Sequence, residues 1–443
     1  MNRRRHGYLT GFLALLAFHG SGVAQAPYRL TLREAIEKGL QANLSVLLAN
    51  SRVHESEGTS ARSYSQLLPH VRTQSYANFQ NRNLRAFGLS VPGVPEVIGP
   101  FSNYDFRVYA DQSIFDLQSY RSWRASQEDT RSDKLSYEDA RDLIVRSIAG
   151  LYLNGQAAQA RIQAAESRVT ASEVLAKLAR DKHDAGTATG VDVLRAQVQL
   201  ANDKQALLVN QNQYQQALLA LARNIGMNPG TPLELAEPLQ FQPVPKSQAE
   251  TMLASALLSR SDYLSLASER QGLTERQRAN RARFYPKFSI NGNYGALGRS
   301  IGDVRGIGLI QAQIDFTLFD RDRTGEAEEL SSRLERVDDQ IADLRRGIEE
   351  DIREALLNLD SAADQVTVAQ EGRDLAQREL ELTQDRFQSG VTNNVEVTTA
   401  QDELARAREN YILAVASYTD AKFALARAAG NTERNIGQYL GTH

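Results

Sequence analysis

The 443-residue chain contains no cysteine, and its charges nearly cancel. Without cysteine there can be no disulfide, no thiolate metal site, no cysteine nucleophile and no lipid-modified N-terminal cysteine. With 51 basic and 54 acidic residues, neither sign is in excess, so composition does not indicate nucleic acid or another highly charged partner. Long linkers rich in Pro, Ser and Gly are also missing. The length therefore indicates one extended or repetitive architecture rather than a string of compact domains.

Catalytic and cofactor motifs are scarce as well. The histidines beyond the N-terminal region, His54, His70, His183 and His443, do not have the spacing of metal ligands. The glycines at 302, 306 and 308 do not form a phosphate-binding loop. Carboxylates are abundant on the predicted helices, where they are typical of a solvated face. We therefore expect no enzyme activity, no cofactor and no metal.

Residues 1–26 are typical of a secretory signal peptide. Three arginines precede an apolar run from Tyr8 to Phe18, and small residues follow. The run is too short to cross a bilayer as a helix, so an uncleaved anchor is the less favoured alternative. Cleavage after Ala24 is preferred to cleavage after Ala26, which would leave Pro27 first. No later stretch approaches about 18 consecutive apolar residues, so an exported chain that enters a membrane must do so without transmembrane helices.

The rest of the chain consists of two copies of one unit. At an offset of 204, residues 186–226 match residues 390–430 at 14 of 41 positions, and the sequence SIFD at 113–116 matches TLFD at 317–320. Pro69 corresponds to Pro286 at an offset of 217, so the intervening segment is 13 residues shorter in the second copy. A length change in one segment is typical of a surface loop. The predicted divisions are a signal peptide (1–26), repeat 1 (27–228), a proline-rich connection (229–246), repeat 2 (247–430) and a short tail (431–443).

Both repeats predict the same order of elements. A helix (about 32–66 and 247–283) ends before a proline, and two strands follow. A long helix (about 119–185 and 323–388) then leads through a glycine-containing turn to a return helix (about 190–225 and 394–429). At 1.5 Å per residue the long helix spans about 100 Å. Large residues recur every seven positions on the second return helix, beside a column of alanines, and this predicts coiled-coil packing; the large residues are Val397, Leu404, Tyr411, Tyr418 and Leu425.

The predicted strands alternate apolar and polar residues. Half-buried sheets of soluble domains usually have this pattern, but in an exported chain strands of about ten residues favour transmembrane strands with the apolar face toward lipid. A sheet in lipid must have no free edge, and four strands are too few for a barrel, so several chains must contribute to one. The residues predicted to face lipid are Val71, Phe79, Phe106, Val108, Phe288, Ile290, Ile310, Ile314 and Phe316, with Leu318 continuing the alternation of the last strand.

With these elements in place, the chain resembles the TolC family of outer-membrane efflux and secretion ducts. The resemblance covers nearly the whole mature chain. It rests on the order of elements in two tandem repeats, on Pro69 and Pro286 before the strands, and on RFQSGVTNNVEVTTAQDELARARENYI (386–412), which is similar to the second hairpin tip of the family. The resemblance implies a mixed α and β membrane protein, in which a homotrimer shares one 12-stranded β-barrel, a size within the natural range. Long antiparallel helical hairpins would continue it as an α-barrel.

The function implied by this resemblance is that of a passive exit duct in a tripartite efflux or type I secretion system. The duct would lie in the bacterial outer membrane with a long periplasmic extension. Its partners would be a periplasmic adaptor (membrane fusion protein), an inner-membrane transporter of RND, ABC or MFS type, and outer-membrane lipid, with no nucleic acid. The alternative from another class is a periplasmic coiled-coil scaffold or adaptor without a pore, which would not stay with the outer membrane after a carbonate wash.

The glycine-containing turns have structural and functional interpretations. Gly186 and Gly390 predict left-handed C-caps after the long helices. The return helices would be capped by Thr189 or Gly190 in repeat 1 and by Asn394 in repeat 2. By resemblance, the residues that bind the adaptor are Gly186, Thr187, Gly390 and Val391.

The resemblance also implies a constriction at the periplasmic entrance. In the family it is formed by acidic residues in the first turns of the second return helix. Glu396 occupies the first of these positions, Thr399 occupies the second, and Asp192 is the equivalent of Glu396 in repeat 1. The alternative is that Glu396 is simply a carboxylate favoured at a helix N-terminus by the macrodipole. Thr392 and Phe387 stand where secretion-type members commonly have Arg and Tyr, which weakens the brace of the closed state.

Overall fold

The computed structural model describes residues 27–236, 240–245, 248–389, 391, 394–430 and 432–434, without the side chain of Asn394. The predicted signal peptide, Gly390, Thr392, the capping side chain of Asn394 and most of the tail lie outside the described residues.

The two repeats have the same order of elements, with helices of matching length and longer strands in repeat 1. Repeat 1 contains β1 (Tyr28–Leu30), α1 (Leu32–Ala42), α2 (Leu44–Ser65), β2 (His70–Asn83), β3 (Val97–Phe115), α3 (Leu117–Asp184) and α4 (Gly190–Asn224). The connection and repeat 2 contain β4 (Leu233–Leu235), α5 (Ala249–Ser259), α6 (Ser261–Ala282), β5 (Lys287–Gly298), β6 (Val304–Asp315), α7 (Asp322–Gln388) and α8 (Asn394–Ala428). The long helices α3 and α7 contain 68 and 67 residues, so each is about 100 Å long.

The first helix of each repeat is not continuous, so the predicted single helices 32–66 and 247–283 are wrong. Asn43 separates α1 from α2 with ψ 130°, and its side chain accepts a hydrogen bond from the Ser45 N–H at 2.9 Å. This side-chain acceptor favours an N-cap over continued helix. Arg260 separates α5 from α6 with ψ 116°. In both cases the N–H of the separating residue still bonds to the carbonyl four residues earlier.

The helices pack side by side, and α3 contributes to the packing along its whole length. In the part next to the turns the order of neighbours is α7, α8, α3, α4. In the part next to the strands the order is α2, α3, α6, α7. Because α8 lies between α7 and α3, its heptad positions Val397, Leu404 and Tyr418 are buried. The repeat-1 equivalents on α4 are mostly half-buried, because α4 has a helical neighbour on one side only.

Two apolar cores lie around the helix breaks, one in each repeat. The first joins α1, the middle of α3 and the end of α4 around Ile36, Ile148 and Leu221. A short parallel pair of β1 with β4 covers it, and the Tyr152 hydroxyl donates to the Leu30 carbonyl at 3.0 Å. The second joins α5, α7 and α8 around Ile352 and other residues. These cores hold the return helix of each repeat to the long helix and the first helix.

The remaining strands form one antiparallel sheet in the order β2-β3-β5-β6. Strand β6 ends at Asp315, which pairs with Lys287. Phe316 and Leu318, predicted as strand residues, therefore lie beyond it. The next partner on β5 would be Pro286, which has no N–H to extend the ladder.

Candidate functional site: the sheet, the layer of helices and the turns

One face of the four-stranded sheet is apolar and exposed. Residues directly opposite one another in an antiparallel ladder project to the same face, and the register places Val71, Ala110, Gly292 and Ile310 in one row across the sheet. All the residues predicted to face lipid lie on this face except Phe316, which follows the strand. Their exposed fractions run from 38% at Phe288 to 86% at Ile310. An exposed apolar patch of this extent is typical of a membrane or protein contact.

The other face of the sheet is mainly polar. Asp105 is 1% exposed and accepts hydrogen bonds from the Tyr76 hydroxyl at 2.9 Å and from the Arg107 Nε at 2.8 Å. Arg72 lies over the Tyr109 ring at 4.8 Å. Apolar side chains on this face include Ile307 and Leu309 of β6, which are exposed, and Phe101 and Leu297. A sheet with these two faces can separate an apolar phase from water.

Within the part of the chain that the structure describes, the sheet has two open edges, formed by β2 and β6. Each edge strand leaves a row of backbone N–H and C=O groups that a further strand could pair with. These strands contain 14 and 12 residues, so the free edges are long.

The layer of helices also has two open edges, and both carry apolar side chains. Next to the turns the outer helices are α4 and α7. On α7 the exposed residues Val368, Leu375 and Leu382 recur every seven positions, which is the spacing of a coiled-coil seam. On α4 the exposed apolar residues include Val191, Leu194, Val198 and Leu208. Each edge thus offers an apolar stripe to another helix.

The first turn, residues 185–189, has the geometry predicted for it. Gly186 has φ 74°, its N–H donates to the His183 carbonyl, and the Thr187 N–H donates to the Lys182 carbonyl, both at 2.8 Å. This pair of bonds is the Schellman motif, which satisfies carbonyls left free at a helix end. Thr189 rather than Gly190 is the N-cap of α4, and it forms a capping box with Asp192.

The second turn follows Gln388, and part of it is described. The Val391 N–H donates to the Arg386 carbonyl at 2.9 Å, which is the equivalent of the longer Schellman bond in the first turn. Val391 is 68% exposed, and Thr187 is exposed too. Of the four predicted adaptor-binding residues, Gly186 and Thr187 lie on one turn and Val391 on the other, while Gly390 is outside the described residues.

The three predicted constriction residues lie in different surroundings. Asp192 accepts hydrogen bonds from the Thr189 hydroxyl and N–H, which lower the pKa of its carboxyl. Glu396 lies 3.7 Å from Arg386. The Thr399 hydroxyl donates to the Val395 carbonyl at 3.0 Å, a local bond within α8. Asp192 thus has a structural role as a capping residue at the start of α4, and both Asp192 and Glu396 are exposed.

A cluster of ion pairs around the buried Arg260 joins the two repeats at the α5–α6 break, and no local sequence pattern predicts it. Arg260 contacts Asp262 at 2.7 Å and Asp351 at 2.8 Å. Arg427 of α8 contacts Asp139 of α3 at 2.6 Å. Burial would raise the pKa of Asp262, but hydrogen bonds and charge from Arg260 outweigh it, so this pKa is lowered. No periodicity relates these residues because, apart from Arg260 and Asp262, they lie far apart in the sequence.

Among the residues that the structure describes, no group of three or more His, Cys, Asp or Glu side chains is arranged to hold a metal ion. In the same part of the chain, no helix has an apolar stretch long enough for a membrane crossing.

Comparison with known proteins gives matches over most of the chain. The sequence profile described as "Outer membrane efflux protein" matches residues 35–227 and 252–431. The probable efflux pump outer membrane protein TtgC of Pseudomonas putida is 26% identical over 321 residues, which cover 68% of this chain and 64% of that relative. The match thus spans less than two thirds of the length of TtgC. The pyoverdine export outer membrane protein OpmQ of Pseudomonas aeruginosa is 22% identical over 412 residues, covering 90% of this chain and 85% of OpmQ.

Solved structures with a similar fold include two bacterial outer membrane proteins. The CmeC outer membrane channel of Campylobacter jejuni has a TM-score of 0.75 at 16% identity, covering 92% of this chain and 89% of CmeC. The outer membrane protein VceC of Vibrio cholerae has a TM-score of 0.72 at 17% identity, covering 90% of this chain and 96% of VceC. At such identities the likeness shows a shared fold.

Proposed function

The chain belongs to the outer membrane efflux protein family and is a protein of the outer membrane with a periplasmic extension, and on this premise we propose that three copies form one exit duct. The duct passively conducts substrates from the periplasm, or from an inner-membrane pump, to the exterior. It serves a tripartite efflux or type I secretion system and has no chemistry of its own.

The observation that carries this proposal is the sheet with an exposed apolar face, a polar face and two open edges. In lipid the backbone groups of β2 and β6 would have no hydrogen-bond partner, so a lone chain could not remain in the membrane. Pairing β6 of one copy with β2 of the next satisfies both edges. Three copies of four strands close a 12-stranded barrel, with the apolar face in lipid and the polar face around a wet lumen.

The layer of helices supports the same assembly. When β6 of one copy pairs with β2 of the next, the helices at the matching edges of the helical layer come side by side as well. The apolar stripe of α4 then packs against that of α7 in the neighbouring copy, and the seven-residue spacing on α7 suits such packing. One set of contacts between copies thus covers the edges of both layers.

Partners bind at the turns in this proposal. Exposed Thr187 and Val391, together with Gly186 and Gly390, are the contacts for a periplasmic adaptor that couples the duct to an inner-membrane transporter. The names of TtgC and OpmQ describe an efflux pump component and an export protein. The assignment of a pump to this chain is proposed by analogy with them. Three copies of Glu396, with Thr399 and Asp192 near them, narrow the entrance.

The stoichiometry of the extracted protein tests the proposal. We expect the chain to stay with outer membranes after a carbonate wash, and mass photometry in detergent to give a complex of three chains. A monomer in detergent would contradict the shared barrel. A protein that the wash releases would instead favour the pore-free scaffold or adaptor.

A further inference from the structure

The hairpin of β2 and β3 extends well past the rest of the sheet. The last pair between β3 and β5 is Tyr104 with Gly298, whereas β2 and β3 stay paired out to Asn83 and Val97. Residues 97–103 of β3 thus project roughly 20 Å past the end of β5 at about 3.3 Å per residue. Strands β5 and β6 are joined by residues 299–303 only, while residues 84–96 join β2 and β3. We call residues 84–96 the β2–β3 loop.

The β2–β3 loop presents large apolar side chains to solvent from an ordered backbone. The Leu84 N–H donates to the Glu96 carbonyl at 2.7 Å, and the Leu89 N–H donates to the Leu84 carbonyl at 3.1 Å. Gly88 takes φ 73° between them. The exposed apolar residues of the loop have exposed fractions from 43% to 64%, and they are Phe87, Leu89, Val91 and Val94. A patch of this kind outside the membrane is typical of a protein contact surface.

The charges of the loop indicate what covers this patch. Arg85 and Glu96 are the charged residues of segment 84–96, and they pair with each other at 2.8 Å at its base. Where identical loops from several copies meet, identical residues come together, so charged residues between Arg85 and Glu96 would repel their counterparts in the other copies. Residues 86–95, which form the tip of the loop, carry no charged side chain, so identical tips can meet without repulsion. Anionic lipid headgroups would instead favour a basic loop, and here the one cation is already paired.

Geometry allows three such loops to meet. A 12-stranded barrel with strands about 4.8 Å apart, tilted by about 40°, has a radius of roughly 12 Å. Fully extended, the 13 residues of the β2–β3 loop would span at most about 20 Å from the strand ends at ~3.3 Å per residue out and back, so the chain is long enough to cover that radius. Strands β5 and β6 have 12 residues each, enough to cross the membrane. The longer hairpin therefore places its loop outside the apolar band.

We propose that the β2–β3 loops of three copies contact one another over the outer opening of the barrel and form an apolar closure there. This inference rests on the proposed trimer. The closure removes Phe87, Leu89, Val91 and Val94 from water, and it blocks large solutes from entering the duct from outside. Outward transport requires the loops to separate.

Cross-linking tests the contact, and the absence of cysteine makes single-cysteine variants unambiguous. Val91→Cys in isolated outer membranes, treated with a short bis-maleimide, should give covalently linked chains. The control is Ile301→Cys on the β5–β6 connection, which is 71% exposed but on the shorter hairpin, and should stay unlinked. Replacing Phe87, Leu89, Val91 and Val94 together by Ser should raise single-channel conductance severalfold, whereas Ile301→Ser should leave it unchanged.

The outcomes separate this inference from the proposed trimer, because the mass of each preparation is measured as well. Three chains per complex, no cross-link at Val91→Cys and unchanged conductance of the serine variant would overturn the closure and leave the trimer standing. A monomer would overturn both. If a fluorophore on the cysteine of Val91→Cys is quenched by spin-labelled lipid and does not cross-link, the loop contacts the membrane and the closure is overturned.

Discussion

Two glycines at the ends of the return helices lie against the breaks in the first helices. Gly226 has φ 69° and Gly430 has φ 73°. A Cβ atom at Gly226 would lie 2.4 Å from the Cβ of Ala42, and one at Gly430 would lie 2.8 Å from the Cα of Arg260. Gly186 has a similar φ of 74°, but a Cβ there would meet nothing within 4 Å. A side chain at Gly186 would therefore meet backbone strain alone, whereas one at Gly226 or Gly430 would meet the same strain and a steric clash.

We expect Gly226→Ala to be markedly more destabilising than Gly186→Ala. At Gly186 the added methyl group brings only left-handed strain, about 1 kcal/mol. At Gly226 the same strain is joined by overpacking against Ala42, typically another 1 to 3 kcal/mol. The measurement is the thermal loss of helical circular dichroism of the purified protein in detergent. The midpoint temperature should fall slightly for Gly186→Ala and by several degrees more for Gly226→Ala.

The double variant Gly226→Ala with Ala42→Gly tests the cause. It removes the close contact and keeps the strain, so it should recover part of the lost midpoint temperature relative to the two single changes added together. Equal losses at Gly186 and Gly226, or strict additivity in the double variant, would refute the contact between the helix end and the helix break.

Three further predictions concern charge and the two faces of the sheet. Asp262→Asn should cost about 2 kcal/mol at neutral pH, because it leaves a buried arginine short of a carboxylate. Because the pKa of Asp262 is lowered, its ionised carboxylate contributes to folding stability above the unfolded pKa of about 3.9, and this contribution is lost as the pH falls through the folded pKa. The melting temperatures of variant and wild type should therefore converge in acid, and a constant difference between them would contradict this. In planar bilayers Glu396→Gln should weaken block by divalent cations, whereas Asp192→Asn should not; equal block in wild type and Glu396→Gln would exclude a carboxylate ring. Ile290→Lys should impair membrane insertion, by up to about 2 to 4 kcal/mol near mid-membrane, while Asn291→Lys on the opposite face should insert normally; equal insertion would argue against a lipid-facing Ile290.

Elements with strong local signals could be predicted closely from the sequence. The long helix of repeat 1 was expected at about 119–185 and lies at Leu117–Asp184, because the turn glycine and the cap at Thr189 specify its end. The strand alternation also predicted which side chains share a face. It extended the last strand too far, to Phe316 and Leu318, because the partner strand β5 is preceded by Pro286.

Features that depend on distant residues could not be read from the sequence. The break at Arg260 sits where the end of α8 closes on it at Gly430, and its charge is balanced by Asp351 and by the neighbouring Asp262. Neither periodicity nor capping signals mark such a place. The pairing of β1 with β4 joins two three-residue segments about 200 residues apart, too short for any alternation pattern. Comparing the two repeats predicts the order of the helices and strands but not these contacts. The residue equivalent to Arg260 in repeat 1 is Asn43, which is uncharged and so gives no hint of an ion pair.

Conduction tests the central claim most directly. Purified protein reconstituted into planar bilayers, with insertion checked by vesicle flotation, should give discrete ohmic conductance steps, one for each inserted complex of three chains. Protein that floats with the vesicles but produces no steps at any voltage would contradict the claim that this chain forms a water-filled exit duct.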